Sequence, residues 1–207
     1  MVDDRAGRVA SVEDAPLLGR ASGAALTLGS ALALLAAWTL SVDKVKLLQD
    51  PSFQPSCNFN PVLSCGSVMK THQAGVFGFP NPFIGLVGFA IMLFLGILIA
   101  ARVVLPRWII AGGALGALLG AVFVHWLAFQ SLYRIGALCP WCMVVWAVTI
   151  PTALCLVLAT LDEYVGESGR AVVRAVWHWR FTLVALWYLG VVVLILIRFW
   201  SYWRTLG

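Results

Sequence analysis

Five apolar runs, each long enough to cross a bilayer, fix the class of fold open to this chain before any single residue is considered. Uncharged stretches cover residues 23–42, 82–101, 108–129, 139–161 and 181–197, and about 20 apolar residues in a helix span the roughly 30 Å hydrocarbon core. Only 11% of the residues are charged, against roughly 25% in a soluble domain. The expectation is an all-α polytopic membrane protein with five transmembrane helices, the last and shortest run being the outlier. The net charge of +5 is spread over many loops, and no basic stripe interleaved with aromatics points to nucleic acid.

The remaining segments divide the chain. Residues 1–22 read as a polar leader and residues 23–161 as a core of four spans. Residues 162–207 read as a polar connector, the fifth span and a short tail. Within the core, residues 43–81 form a long polar loop, while the turns at Leu105-Pro106-Arg107 and Tyr133-Arg134 are short. Gly112, Gly116 and Gly120 repeat at four-residue spacing, which permits close helix approach. Pro151 falls inside the fourth span and removes one backbone donor there. His125 and Cys155 read as a hydrogen-bonded structural residue and a packing residue.

Chemistry enters with the cysteines. Cys57 and Cys65 share the long loop, and Cys139 and Cys142 form a Cys-Pro-Trp-Cys at the head of the fourth span. Two spans separate the pairs, so both lie on one membrane face whichever way the chain is inserted. Eight of the fourteen Lys and Arg residues fall on the other side, with the amino terminus. The positive-inside bias therefore places the cysteines outside the cytosol, where disulfides persist.

Pro140 suits the first position of a helix, which puts Cys139 at the N-cap and Cys142 three residues on. The two sulfurs can then approach, and the positive helix terminus favours a thiolate at Cys142. Two dithiols on one face can exchange electrons. Static disulfides and a four-sulfur zinc site are the competing readings.

Seven residues rich in Asn and Pro separate Cys57 from Cys65 and suggest a small, flexible loop. A short surface helix over 67–73, ended by Gly75, Gly78 and Pro80, would lid the bundle. Asn81 before Pro82 reads as an N-cap followed by an N1 proline, or as a buried amide that binds a ligand carbonyl.

The order of these motifs resembles the vitamin K epoxide reductase family, in particular its bacterial disulfide-forming members, over residues 23–161. The matching features are Cys57 and Cys65, Thr71 where the family carries Ser or Thr, Asn81-x-x-x-Gly85, and Cys139-x-x-Cys142. The resemblance implies a four-helix bundle around a quinone (menaquinone, ubiquinone or vitamin K-like), with one peripheral helix. It implies Cys57, Cys65, Cys139 and Cys142 as catalytic residues and Asn81 and Thr71 as quinone-site residues. Trp146 stands where animal members carry a tyrosine, and its indole donor makes it a further quinone-site candidate.

It further implies quinone-dependent disulfide formation on the outer face of a bacterial cytoplasmic (inner) membrane. Because the sequence stops at Gly207, the thioredoxin-like electron donor is expected to be a separate protein, and the membrane quinone pool the acceptor. Reduction of a quinone epoxide, and a disulfide-stapled membrane scaffold or small transporter, are the alternatives.

Overall fold

The computed structural model of the protein describes residues 17–205, so residues 1–16 of the expected leader lie outside it. The helices are α1 (Arg20–Gln49), α2 (Cys65–Met69), α3 (Pro82–Ala100), α4 (Arg107–Gln130), α5 (Pro140–Tyr164), α6 (Glu167–His178), α7 (Arg180–Arg198) and α8 (Trp200–Trp203). A 3-10 turn (His72–Gly75) follows α2, and a π turn (Ser131–Ile135) extends α4. Among the described residues, α1, α3, α4 with its π turn, α5 and α7 are long and apolar enough to cross a membrane. The five expected spans are all present, and the protein is an all-α multi-pass membrane protein.

α5 is the central helix. It packs against α1 on one side and α4 on the other, and α1 packs along α3. Between residues 140 and 160 no position of α5 is exposed. A buried cluster of Met92, Leu95 and Ile99 from α3, Ile110, Ala114 and Ala117 from α4, and Leu156 and Ala159 from α5 fills the end of the bundle remote from the cysteines.

Three sequence expectations are corrected here. The tightest helix approach is not along Gly112, Gly116 and Gly120: Gly112 faces open space, and Gly116 and Gly120 make ordinary contacts with Met92 and Thr149. It lies between α1 and α3, where a Cβ on Gly23 would run into the Ala100 backbone and one on Gly96 would stand 2.7 Å from the Thr27 backbone nitrogen. The long loop starts at Asp50 and not at residue 43, because nothing in Asp43-Lys-Val-Lys-Leu-Leu-Gln49 breaks a helix and Leu47 is buried by the cysteine loop. At 30 residues, α1 is about 45 Å long, so it projects beyond the hydrocarbon. The connector after α5 is not simply polar: it folds as α6, which turns Val173 inward and ties to α5 through Arg174 and Asp162 (3.5 Å).

The fifth membrane helix, α7, buries none of its residues. Polar contacts hold it instead, and each meets a backbone or ring atom that the core leaves available. Pro151 has no N–H for the carbonyl of Ala147, four residues earlier. The Tyr188 hydroxyl of α7 donates to that carbonyl at 2.6 Å. Arg198 Nε donates to the Leu132 carbonyl in the π turn (2.7 Å), a cation at a helix C-terminus. Trp187 Nε1 donates to His125 Nε2 (2.9 Å), so the neutral ring carries its proton on Nδ1, which faces the Ala121 carbonyl at 2.7 Å. Both nitrogens of His125 are thus engaged, in keeping with the structural role expected of it.

Tyr188→Phe is expected to lower stability by about 1 kcal/mol, the net worth of one hydrogen bond. In a Pro151→Ala background, which restores the missing N–H, the same substitution should have a smaller effect. Thermal unfolding of the four proteins in detergent checks this, and identical losses in both backgrounds would break the link between Pro151 and Tyr188.

Candidate active site

Cys57 and Cys65 form a disulfide with their Cα atoms 5.6 Å apart, while Cys139, Cys142 and Cys155 are free thiols. Cys65 opens α2 behind Ser64, whose hydroxyl caps the Ser67 N–H (3.2 Å). The loop between the two cysteines is tied down, which corrects the expectation of a flexible segment. Asn58 Oδ1 accepts from the Gly66 N–H (2.8 Å) and the Ser64 hydroxyl (3.1 Å). Asn60 Oδ1 accepts from the N–H groups of Val62 (2.9 Å) and Leu63 (2.7 Å), an Asx turn of the kind Asn favours. A Cβ on Gly66 would press on the Asn58 amide at 2.9 Å, so a side chain there would push the clamp open.

The last residues of the disulfide loop then pair with the segment before α5. Leu138 N–H donates to the Val62 carbonyl (2.7 Å), and Ser64 N–H donates to the Leu138 carbonyl (2.9 Å). This short parallel bridge, centred on Leu63 and Leu138, sets a register in which Cys139 follows Leu138 directly and Cys65 follows the hydrogen-bonded Ser64. Cys139 Sγ lies 3.3 Å from Cys65 Sγ. Both residues are fully buried, in a cluster with Leu40, Leu47, Cys57 and Met69. The two cysteine pairs therefore meet at one end of the bundle, as the count of spans required.

Cys139 is the N-cap of α5 and Pro140 its first residue, as expected from sequence. The Cys142 N–H points at Cys139 Sγ (3.4 Å), so the helix-terminal donor serves Cys139 and not Cys142. An N-cap side chain faces the N–H groups of the first turn, and that position belongs to Cys139. Cys142 is less enclosed and touches both the cysteine cluster and a second cluster built on Trp146, Val124, Leu132, Leu138 and Phe199.

The other sequence candidates fall in three places. Asn81 is buried but makes no N-cap contact. Its backbone is already helical, and the side chain turns back to the lid: Nδ2 donates to the Gln73 carbonyl (2.7 Å), and Oδ1 accepts from the Val76 N–H (3.1 Å). The cap reading is thereby corrected. The lid is α2 plus the 3-10 turn, not one helix over 67–73, and Phe77 carries it across to Phe123 of α4, ring centroids 5.8 Å apart. Thr71 sits between the two lid turns, its hydroxyl donating to the Val68 carbonyl (2.7 Å).

Trp146 is buried one turn below Cys142 and borders a cavity of about 330 Å³ between α4, α5 and α7, with Val124, Ala128, Leu132 and Trp187 among its walls. That volume is at the lower end for a small-molecule site. Asn81 does not line this cavity.

The profile of the vitamin K epoxide reductase family matches residues 24–159, more than half of the chain. The chain belongs to the vitamin K epoxide reductase family. It is therefore an oxidoreductase of the quinone-linked thiol or epoxide-reducing kind, and the matched region contains all four site cysteines. A search of curated protein sequences finds no match to the chain.

Sequence reasoning missed the bridge at Leu63 and Leu138 and the clamping role of Asn58. The nearest signal was the Asn-x-Asn-Pro between the cysteines, followed by Gly66. Asn58→Ala is expected to weaken the clamp by about 1–2 kcal/mol, one or two net hydrogen bonds. Amide hydrogen exchange over residues 57–66 should then be roughly tenfold faster or more, with α3 unchanged. Unaltered exchange in that loop would show that Asn58 does not hold it.

Proposed function

We propose that the protein is a quinone-dependent thiol oxidase that makes disulfides outside the cytosol, drawing electrons from a separate thioredoxin-like protein. The observation that carries this reading is the 3.3 Å approach of the Cys139 sulfur to one sulfur of the Cys57–Cys65 disulfide. A static staple has no need of a free thiol in attacking range, whereas exchange proceeds through such contacts.

Cys65 touches Cys139, which leaves Cys57 to meet the partner. A partner thiolate attacks Cys57 and breaks the Cys57–Cys65 bond. The second partner thiol then resolves the mixed disulfide, leaving the partner oxidised and Cys57 and Cys65 reduced. Cys65 attacks Cys139 of a Cys139–Cys142 disulfide, and the electron pair leaves on Cys142. Cys57 next attacks Cys65, restoring the loop disulfide and releasing Cys139, whose departing sulfur meets the Cys142 N–H. Two electrons and two protons have then passed inward, and the pairing in the structure corresponds to this point of the cycle. Phe59, 70% exposed two residues past Cys57, offers the partner an apolar contact.

Bound beside Cys142, a quinone, whether menaquinone, ubiquinone or vitamin K-like, would supply a two-electron, two-proton acceptor that allows the Cys139–Cys142 disulfide to reform. The residues we assign to it are Cys142 and Trp146, neighbours on one helix face. Trp146 makes no hydrogen bond among the described residues, which leaves its indole N–H for a carbonyl. Asn81 keeps one amide hydrogen beyond the one that holds the lid, and Thr71 retains acceptor capacity. The cysteine end is assigned to the outer face of a bacterial inner membrane, since Arg102, Arg107, Arg170 and Arg174 flank the opposite ends of the spans.

Stopped-flow absorbance with a reduced thioredoxin-like protein and a quinone is expected to show quinone reduction by the wild type. It should be absent in Cys142→Ala and Cys139→Ala. A folded wild type that leaves quinone untouched, but consumes a quinone epoxide with the same donor, would move the assignment to epoxide reduction.

A further inference from the structure

Asp43 stands on α1 between Leu40 and Leu47, about one turn from each, and those leucines pack with Cys57, Cys65, Met69 and Cys139. Its neighbour Lys44 donates to the Met69 carbonyl (2.6 Å), fixing this turn of α1 against α2. Asp43 is only 8% exposed, and its Oδ2 is buried without a hydrogen-bond partner. Other buried polar groups near the cysteines, Ser64 and Asn81 among them, are satisfied. A carboxylate oxygen without a hydrogen bond in an apolar wall is unfavourable, and neither Lys46, its charged neighbour about one turn along α1, nor the packing of Leu40 and Leu47 gives a reason for it.

The exchange chemistry does give one. An attacking thiol must lose its proton and a departing sulfur must end with one. The titratable groups on the elements at this end of the bundle are Cys57, Cys65, Cys139 and Cys142, Lys44 and Lys46 on α1, Asp50 just past its end, and Lys70 and His72 after α2; of the charges, Lys46 acts on Asp43. The cysteine-side ends of α3 and α5 carry no charged residue. Asp43 is the carboxyl on the helix face that covers the sulfurs.

We propose that Asp43 carries the proton of the Cys57–Cys65–Cys139 exchange, an inference that rests on the relay proposed above. As the Cys65 thiol attacks Cys139, the Cys65–Cys139 bond forms, the Cys139–Cys142 bond breaks with its electron pair on Cys142, and the Cys65 proton passes to the Asp43 carboxylate. In the resolving step the Cys57 thiol attacks Cys65, the Cys65–Cys139 bond breaks, and the proton from Cys57 reaches Cys139 through the same carboxyl.

The resolving step can be measured in a Cys142→Ala background, where Cys139 and the loop disulfide interconvert only through Cys65. With a fast alkylating reagent in excess, labelling of Cys57 reports the rate of interconversion, and peptide mass spectrometry reads it from pH 5 to 9. With Asp43 present the rate should hold a plateau, because the carboxylate takes the thiol proton. Asp43→Asn should be roughly 10²-fold slower and rise about tenfold per pH unit, following the thiolate fraction. Asp43→Glu should recover part of the plateau.

The thermal midpoint of Asp43→Asn is expected to equal or exceed that of its parent, since a buried carboxylate whose Oδ2 has no hydrogen bond has been neutralised. A rate and pH profile unchanged by Asp43→Asn would overturn the proposal, and so would slowing matched by a lowered thermal midpoint with the plateau kept. No quinone or partner enters the measurement, so its outcome is separate from whether the wild type reduces quinone.

Discussion

Two backbone hydrogen bonds between Leu138 and residues 62 and 64 carry the organisation of this site. They join segments far apart in sequence in a register that places Cys65 on Cys139, with the sulfurs 3.3 Å apart. Everything nearby serves that register. Asn58 and Asn60 shape the loop from one side, and the Cys139 N-cap begins α5 on the other. α1, continued past the membrane, covers the cluster with Leu40 and Leu47.

The membrane part of the fold supports that end of α5. Pro151 is usually a defect in a helix interior, and here the orphaned Ala147 carbonyl becomes the docking point for Tyr188. With Arg198 on Leu132 and Trp187 on His125, α7 is held along the cysteine-side half of α4 and α5 while most of its surface faces away from the bundle. Its end places Phe199 in the same apolar cluster as Trp146 and Leu138. The fifth helix therefore contributes to the wall around Cys142, more than the word peripheral suggests.

The spans were legible in the sequence because helix length and apolarity are set by the bilayer, and the positions of Cys139 and Pro140 because caps follow residue chemistry. The common face of the two cysteine pairs followed from counting crossings. What sequence could not supply was tertiary register. Nothing local says that Val62 and Ser64 will pair with Leu138, that the Asn81 amide will turn to Gln73 and Val76, or that the closest helix approach will fall at Gly23 and Gly96 and not along the Gly112 series. The loop composition suggested flexibility because Asn and Pro favour turns, but the same Asn side chains also tie turns down. Asp43 is the first charge after the apolar run and so reads as the start of a polar loop, whereas α1 continues through it to Gln49.

The most direct test of the relay is its connectivity. Disulfide mapping under non-reducing conditions on protein carrying Cys57→Ala and Cys142→Ala should find Cys65 bonded to Cys139 in most molecules. With Cys65→Ala and Cys142→Ala, a Cys57–Cys139 bond should be nearly absent. A Cys57–Cys139 bond in comparable yield would contradict the account, because either loop sulfur could then reach Cys139 and the register at Leu138 would not decide the path of electrons.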